Sequence, residues 1–249
     1  MRPTTRNILA ILAIVLTSAV SASAQDSQSE AQPGNSLSTE ARLWIGQFSP
    51  NAHSDFWDSN FQKFTADRSQ LDGVILGGEY VKMLDRHNAF SVGGSLYWSS
   101  LAEPARNVLD ESGNPLEHHL EIKVAAVTAS YLLFPAGNDH RLVPYIGAGA
   151  GLYFGTMDIF RSSFDSTPDD CEDVSECGST GHTDERSRTF YTLGYFVEGG
   201  LEVAMTKHSA LLLDGRYTVA NVDLGSDFKP DSQLDLSGAQ VAAGVSFRF

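Results

Sequence analysis

Residues 236–249, LSGAQVAAGVSFRF, decide the fold class of this chain. Counted back in twos from the end, one face of this stretch is wholly apolar: Phe249, Phe247, Val245, Ala243, Val241 and Ala239. The opposite face is small or polar: Arg248, Ser246, Gly244, Ala242, Gln240 and Gly238. A period of two over about a dozen residues indicates a strand, and the usual strand of a soluble sheet has only ~5 to 6 residues. The length fits the ~9 to 11 residues of a tilted strand that crosses a membrane.

A terminal strand that ends in Phe, with apolar residues at every second position before it, resembles the last strand of bacterial outer-membrane β-barrels. In those barrels the last strand is the signal read by the barrel insertion machinery. The resemblance therefore implies that this machinery is a partner of the chain. The side chains that would carry the assembly signal are Val241, Ala243, Val245, Phe247 and Phe249.

The start of the chain has the pattern of an export signal. Arg2 and Arg6 precede an apolar run at residues 8–16, and small residues at 22–24 form a cleavage site. This pattern predicts a signal peptide over residues 1–24, and the run is too short for the ~20 residues of a membrane helix. Residues 25–37 are rich in Ser, Gln and Asn without periodicity, which predicts a disordered periplasmic lead-in. The barrel is expected over residues 38–249.

The formal net charge is −14, and removal of the signal peptide would make it more negative. Such an acidic chain argues against nucleic acid as a partner, because phosphate backbones repel it. No later segment approaches ~18 consecutive apolar residues, so membrane helices are not expected.

The rest of the chain divides into eight candidate strands joined by alternating short and long connections. The predicted strands are 39–48, 72–84, 89–99, 120–134, 142–156, 189–205, 210–222 and 236–249. The short connections are 85–88, 135–141 and 206–209, and the long ones are near 49–70, 100–119, 157–188 and 223–235. Outer-membrane barrels have short periplasmic turns and long extracellular loops. The pattern therefore predicts an all-β fold: an eight-stranded antiparallel up-and-down transmembrane β-barrel with both termini in the periplasm.

The run VPYIGAGAGLY at residues 143–153 resembles a glycine-rich strand that is common among small OmpA-like and OpcA- or OmpW-like barrels. It lacks the G-x-G-x-x-G spacing and the following helix of a dinucleotide site. We expect its alternate glycines to face the lumen and to leave room for large side chains of neighbouring strands.

Aromatic residues near the predicted strand ends suggest girdles at the two membrane interfaces. The residues in this set are Trp98, Tyr153, Phe154, Phe190, Tyr191, Phe247 and Phe249.

Charged residues on predicted strands should face the lumen, because lipid would make them costly. Eight are assigned to the lumen: Glu40, Arg42, Glu79, Glu198, Glu202, Asp214, Arg216 and Arg248. A hairpin centred on Lys207 would place Glu198 directly opposite Arg216, so these two should form an ion pair.

The predicted loop 157–188 carries nine acidic residues and both cysteines of the chain, Cys171 and Cys177. In an exported protein this spacing favours a local structural disulfide over a zinc site, which would need more soft ligands. The loop lacks the register of a Ca²⁺-binding loop. A solvated acidic loop is the simpler interpretation, and divalent-cation bridging to anionic lipopolysaccharide is the alternative.

No motif in the chain indicates catalysis, and none indicates a cofactor or a resident metal. The seven histidines fall in predicted loops, turns or loop edges. The sequence therefore favours a non-enzymatic barrel in the bacterial outer membrane, with lipid and lipopolysaccharide as partners and a role in surface interaction or envelope integrity. Two alternatives stay open: a narrow channel or pocket for small, hydrophobic molecules, as the OmpW-like barrels suggest, and a lipid A-modifying enzyme.

Overall fold

The structure is a computed structural model that describes residues 39–55, 57–58, 61, 68–109, 115–164, 181–223 and 233–249. Its elements, in chain order, are β1 (Thr39–Pro50), a short 3-10 helix (Arg68–Leu71), β2 (Gly73–Met83), β3 (Asn88–Leu109), β4 (Pro115–Leu133), β5 (Leu142–Phe164), β6 (Gly181–Ala204), β7 (Ser209–Val219), β8 (Asn221–Asp223), β9 (Gln233–Asp235) and β10 (Gly238–Arg248). None of the described helical residues forms a helix long and apolar enough to cross a membrane.

Eight of these strands close into one antiparallel barrel in the order β1-β10-β7-β6-β5-β4-β3-β2. Each barrel strand pairs with the barrel strands before and after it in the chain, so that β7 pairs with β10. Strand β10 closes the barrel against β1. The predicted fold class is therefore confirmed. The connections at residues 84–87, 134–141 and 205–208 lie at one end, which also holds Thr39 and Phe249 and is called here the turn end. The opposite end is the loop end.

The central four strands are longer than the sequence predicted. Strands β3 to β6 have 22, 19, 23 and 24 residues, whereas β1, β2, β7 and β10 have 11 or 12. Much of the predicted loops 100–119 and 157–188 is therefore paired strand. In these two segments polar residues occupy both faces of the strands, so the sequence shows no apolar face at every second position. This explains why they were predicted as loops. Strand β7 ends at Val219, and the expected continuation to 222 belongs to a separate pair, β8 and β9.

The outer face of the barrel is apolar and exposed. Along β7, Leu211, Leu213, Tyr217 and Val219 point outward, and their neighbours in sequence are buried inside. Five of the seven predicted girdle aromatics also lie on the outer face, where lipid would surround them. Phe190 and Tyr153 do not: Phe190 is only 5% exposed and Tyr153 packs against the core, because both occupy inward positions of their strands.

Glycines on the inner face of β5 make room for side chains from adjacent strands, as expected. A Cβ atom at Gly149 would lie 2.5 Å from Cζ of Phe196, and one at Gly147 would lie 3.1 Å from Cγ of Glu198. Larger residues at these positions would displace the β6 side chains that fill the lumen. The glycine-rich stretch thus allows large β6 side chains to pack in the lumen.

Candidate functional site: the filled lumen

All eight charged residues assigned to the lumen lie inside the barrel. Glu40, Arg42 and Glu202 are fully buried, and Glu198, Asp214 and Arg216 are less than 8% exposed. The alternation of each strand puts these side chains on the same face as its small inner residues. The charges occupy the half of the lumen nearer the turn end. Glu40 is paired with Arg248 at that end. Glu202 lies two residues from Ala204, which is paired with Ala210 at the same end.

Two arginines and two glutamates form a closed ring of ion pairs. Nη2 of Arg42 lies 3.3 Å from Glu40 Oε2 and 2.5 Å from Glu202 Oε1. Arg248 contacts the other oxygens of the same two carboxylates, at 2.9 Å from Nε to Glu40 Oε1 and 2.6 Å from Nη2 to Glu202 Oε2. Only the second of these Arg248 contacts has hydrogen-bond alignment. The ring joins β1, β10 and β6 across the lumen.

A second cluster, centred on Arg216, lies next to this ring, and Glu79 links the two because it contacts both Arg42 and Arg216. Arg42 donates from Nη1 to Glu79 at 2.8 Å, and Arg216 approaches the other oxygen of Glu79 at 3.8 Å. Arg216 donates from Nη2 to Glu198 at 2.6 Å. Glu198 and Arg216 are directly opposite on β6 and β7, so the predicted register and ion pair are confirmed. The guanidinium of Arg216 also lies 4.3 Å from the ring centroid of Phe196, a cation–π distance.

Uncharged side chains complete this network, and the sequence did not single them out. Ser130 donates to Glu198 at 2.6 Å, and its oxygen lies 2.7 Å from that of Ser91. Tyr145 donates from its hydroxyl to Asp214 at 2.6 Å. With these three, each of the eight barrel strands supplies at least one side chain, and the whole set is called here the arginine network. The inward position of each residue on its predicted strand was the signal that could have identified it.

Buried apolar residues also lie at the loop end, and three of these five residues were predicted only as parts of long loops. The lid residues are Ala52, Trp57, Leu71, Leu234 and Leu236, all buried. Nε1 of Trp57 donates to the carbonyl oxygen of Asp235 at 3.1 Å, and the Tyr97 hydroxyl donates to that of Leu71 at 2.7 Å. These bonds tie two loop segments to each other and to β3.

Ala52 holds the first of these loop segments in a left-handed conformation, with φ of 51°. Residues with a Cβ atom rarely adopt this conformation. The backbone of the preceding residue, Asn51, donates to the Ser237 carbonyl oxygen at 2.7 Å, and its side chain donates to the Tyr217 hydroxyl at 2.7 Å. The turn at Ala52 is thus fixed by one bond to the second loop segment and one to β7.

A cavity of about 40 Å³ lies between the arginine network and the lid, and it is called here the upper chamber. Apolar side chains from several strands form its wall, among them Phe48, Ile75, Ile122 and Val124. Its polar lining includes Arg216 and Gln240, which belong to the side facing the network. The lumen therefore has two layers of opposite chemistry.

Three of the sequence predictions lie outside the described residues: the signal peptide, the lead-in, and the disulfide between Cys171 and Cys177. The acidic part of loop 157–188 that would bridge cations lies largely outside them as well. Within the described part of the chain, no group of three or more His, Cys, Asp or Glu side chains is arranged to hold a metal ion.

The side chains of the predicted assembly signal lie on the outer face of β10 and, for Phe249, just beyond its end. Val241 is 64% exposed, Phe247 43% and Phe249 69%, and Ala243 and Val245 share this face. Their reading by the insertion machinery stays a prediction.

Several solved barrels are similar to this chain, at low sequence identity. Neisserial surface protein A shares 14% identity over 87% of this chain and 99% of its own, with a TM-score of 0.49. Ail, the attachment invasion locus protein of Yersinia pestis, shares 14% over 85% of this chain and 97% of its own, with a TM-score of 0.41. The N-terminal β-barrel domain of Pseudomonas aeruginosa OprF shares 13% over 86% and 98%, with a TM-score of 0.35.

A comparison with curated proteins found no match. The family model of the outer membrane protein beta-barrel domain matches residues 12–249, which is nearly the whole chain. The closed eight-stranded barrel with an apolar outer face agrees with that match. The chain therefore belongs to the outer membrane protein β-barrel domain family, whose place is the bacterial outer membrane.

Proposed function

We propose that this protein is a sealed, non-enzymatic barrel of the outer membrane that acts in surface interaction or envelope integrity. The observation that carries the proposal is the arginine network, to which all eight strands contribute. A lumen blocked by paired charges offers no continuous water path, and eight-stranded barrels are narrow enough for side chains to fill. The function is then carried by the outside of the molecule.

In this proposal the turn end faces the periplasm and the loop end faces the medium. The short turns and the long strands β3 to β6 support that orientation, because outer-membrane barrels have short periplasmic turns and long extracellular loops. The long strands would raise the acidic segment 157–188 above the lipopolysaccharide. Nine acidic residues there would repel anionic surfaces and attract cationic partners or divalent cations.

A conducting channel is the weaker candidate, because paired charges occupy one half of the lumen and buried apolar side chains occupy the other. Arg42 is fully buried between carboxylates in one half, and Trp57 is 1% exposed in the other. Planar bilayers that contain the folded protein should show no stepwise conductance, and a trimeric porin serves as the positive control. Stable single-channel openings by the wild-type protein would contradict the sealed lumen.

The surface role can be tested in cells that lack the protein. We expect the deletion to change adhesion or sensitivity to detergents and large antibiotics, and plasmid-borne wild type should restore both. A variant in which the nine acidic residues of 157–188 become Asn or Gln should assemble normally, which a heat-dependent shift in gel mobility reports. If this variant restores every phenotype, the acidic loop has no part in the function.

The enzymatic alternative has a separate readout. Mass spectra of lipid A from deletion and wild-type cells should be identical if the protein modifies no lipid. A missing or added acyl chain in the deletion strain would show that the proposed non-enzymatic role is wrong.

A further inference from the structure

Two buried donors line the upper chamber. Gln240 is 4% exposed and Arg216 is 7% exposed, and both line the chamber. Neither Nε2 of Gln240 nor Nε of Arg216 has a hydrogen-bond partner among the residues that the structure describes. A buried donor without a partner is unfavourable, and an acceptor bound in the chamber would satisfy it.

The two donors belong to one place. Gln240 on β10 is directly opposite Arg216 on β7, and directly opposed side chains have Cβ atoms ~4.5 to 5.5 Å apart. Nη2 of the same guanidinium binds Glu198 in the arginine network. Nε is thus held in position, and one oxygen atom placed between the strands could accept from both groups.

The remaining surface of the chamber is suited to an apolar body. Phe48, Ile75, Ile122 and Val124 form much of its wall, and Trp57 and Leu236 cover it at the loop end. Burial of apolar surface contributes about 25 cal/mol per Å², so these walls favour carbon over water.

We propose that the upper chamber is a binding site for a small, neutral, apolar molecule with one acceptor oxygen, such as a short ketone or ester. Its oxygen accepts from Gln240 Nε2 and Arg216 Nε, and its carbon atoms contact the apolar wall. The cavity of about 40 Å³ has room for roughly three water molecules at ~10 to 15 Å³ each, which limits the ligand to a few heavy atoms.

The charge of the surroundings selects a neutral ligand. The arginine network holds five carboxyl groups and three arginines, and a further acidic residue, Asp235, also lines the chamber. An anion would meet this excess of acids and would lose its hydration, so a carboxylate such as acetate should bind more weakly than a neutral ligand.

The test uses a pair of probes of nearly the same shape, acetone and isobutene, which differ in the presence of the acceptor oxygen. The protein carries ¹³C-labelled Ile and Val methyl groups in lipid nanodiscs. Ile75, Ile122 and Val124 report on the chamber, and Ile45 and Ile146, which are 61% and 54% exposed on the outer face, report on probe dissolved in lipid. We expect acetone to shift the chamber methyls saturably at concentrations that leave the outer methyls unchanged, whereas isobutene and acetate should bind more weakly.

Gln240→Met removes the amide donor and keeps the side-chain length. It should weaken acetone binding about fivefold, the ratio that a hydrogen bond of about 1 kcal/mol gives, and leave isobutene binding unchanged. Ser246→Ala, also buried on β10 but outside the chamber lining, is the matched control and should bind acetone as the wild type does. If Gln240→Met does not assemble, Gln240→Glu replaces it and should also lose acetone binding.

Two results would overturn the proposal. Chamber methyls that do not respond to acetone would mean that the cavity holds only water. Equal binding of acetone and isobutene would mean that the donors recognise nothing, for example because the Gln240 amide is rotated and its oxygen accepts from Arg216 Nε. Neither result bears on the sealed-barrel function, which the conductance and cell experiments decide.

Discussion

The two halves of the lumen fill the same cylinder in different ways. Near the turn end, three arginines and five carboxyl groups are joined by hydrogen bonds and ion pairs that reach across the barrel. Near the loop end, apolar side chains from strands and loop segments pack around a small chamber. A buried charge needs several partners at once, whereas an apolar side chain needs only to be covered. The charged half should therefore depend on individual residues more strongly than the apolar half does.

The largest effect is expected for Arg42→Ala, in the charged half. This change leaves Glu40, Glu79 and Glu202 without their shared partner in a fully buried site, and loss of one member of a buried ion pair costs roughly 3 to 5 kcal/mol. Urea unfolding of the protein in lipid vesicles would measure the loss.

The matched control for Arg42→Ala is Arg86→Ala, which breaks the exposed pair with Asp139 at the turn end. Solvent screens that pair, so no change in the urea midpoint is expected. Equal midpoints for wild type and Arg42→Ala would show that the network does not stabilise the barrel.

A smaller effect is expected from the Glu198 and Arg216 pair, measured by a double-mutant cycle with Glu198→Gln and Arg216→Gln. A hydrogen bond between charged groups contributes about 1.5 to 3 kcal/mol, and the coupling energy should fall in this range. Additive effects of the two single changes would mean that the pair is a contact without energetic coupling.

The same substitution in each half gives a direct comparison. Tyr145→Phe removes the hydroxyl that binds the Asp214 carboxyl group, and Tyr97→Phe removes the one that binds the Leu71 carbonyl. We expect a cost of about 2 kcal/mol for the first and about 1 kcal/mol for the second, because hydrogen bonds to charged groups are stronger. Equal costs from urea unfolding would contradict the difference between the two halves.

The smallest effect lies outside both halves, at the turn residue Asp85. Its carboxylate accepts from the backbone N–H of His87, and from the backbone N–H and the side-chain amide of Asn88. These bonds lower the pKa of Asp85 below its usual value. A lowered pKa means that the stabilisation is present above the unfolded value of about 3.9 and is lost as the pH falls through the folded value.

Asp85→Ala should therefore lower the urea midpoint slightly at pH 7, and the difference from wild type should shrink as the pH is lowered below 4. Asp85→Asn, which keeps an acceptor oxygen, is the control and should show a smaller change at pH 7. A difference that stays constant with pH would assign the effect to something other than this carboxylate.

Much of the fold and part of the site could be predicted from local pattern. Alternation along residues 236–249 identified an outer-membrane strand, and the spacing of short turns placed eight strands in order. The hairpin at Lys207 is short enough to leave only two plausible registers, and the register that opposes Glu198 and Arg216 was favoured because the other would oppose two acids, Glu202 and Asp214. Register in such hairpins depends only on the turn.

Contacts across the barrel could not be counted in this way. Arg42 meets Glu202, and Tyr145 meets Asp214, through the curvature and stagger of a closed sheet, which local sequence does not specify. The lid residues could not be predicted for the same reason. Trp57 and Leu234 are isolated apolar residues in polar loops of the sequence, and they are buried only because the two loop segments meet in the folded chain.

The sequence by itself determined the membrane-facing alternation, the number and order of the strands, and which charged residues point inward. These properties follow from the two-residue period of a strand and the cost of charge in lipid. The tertiary structure alone decided that the inward charges share partners across the lumen, that apolar residues of two loop segments are buried at the loop end, and that Gln240 and Arg216 each keep an unpartnered donor beside an apolar wall. Those features depend on distances between residues far apart in the chain, which only the closure of the barrel sets.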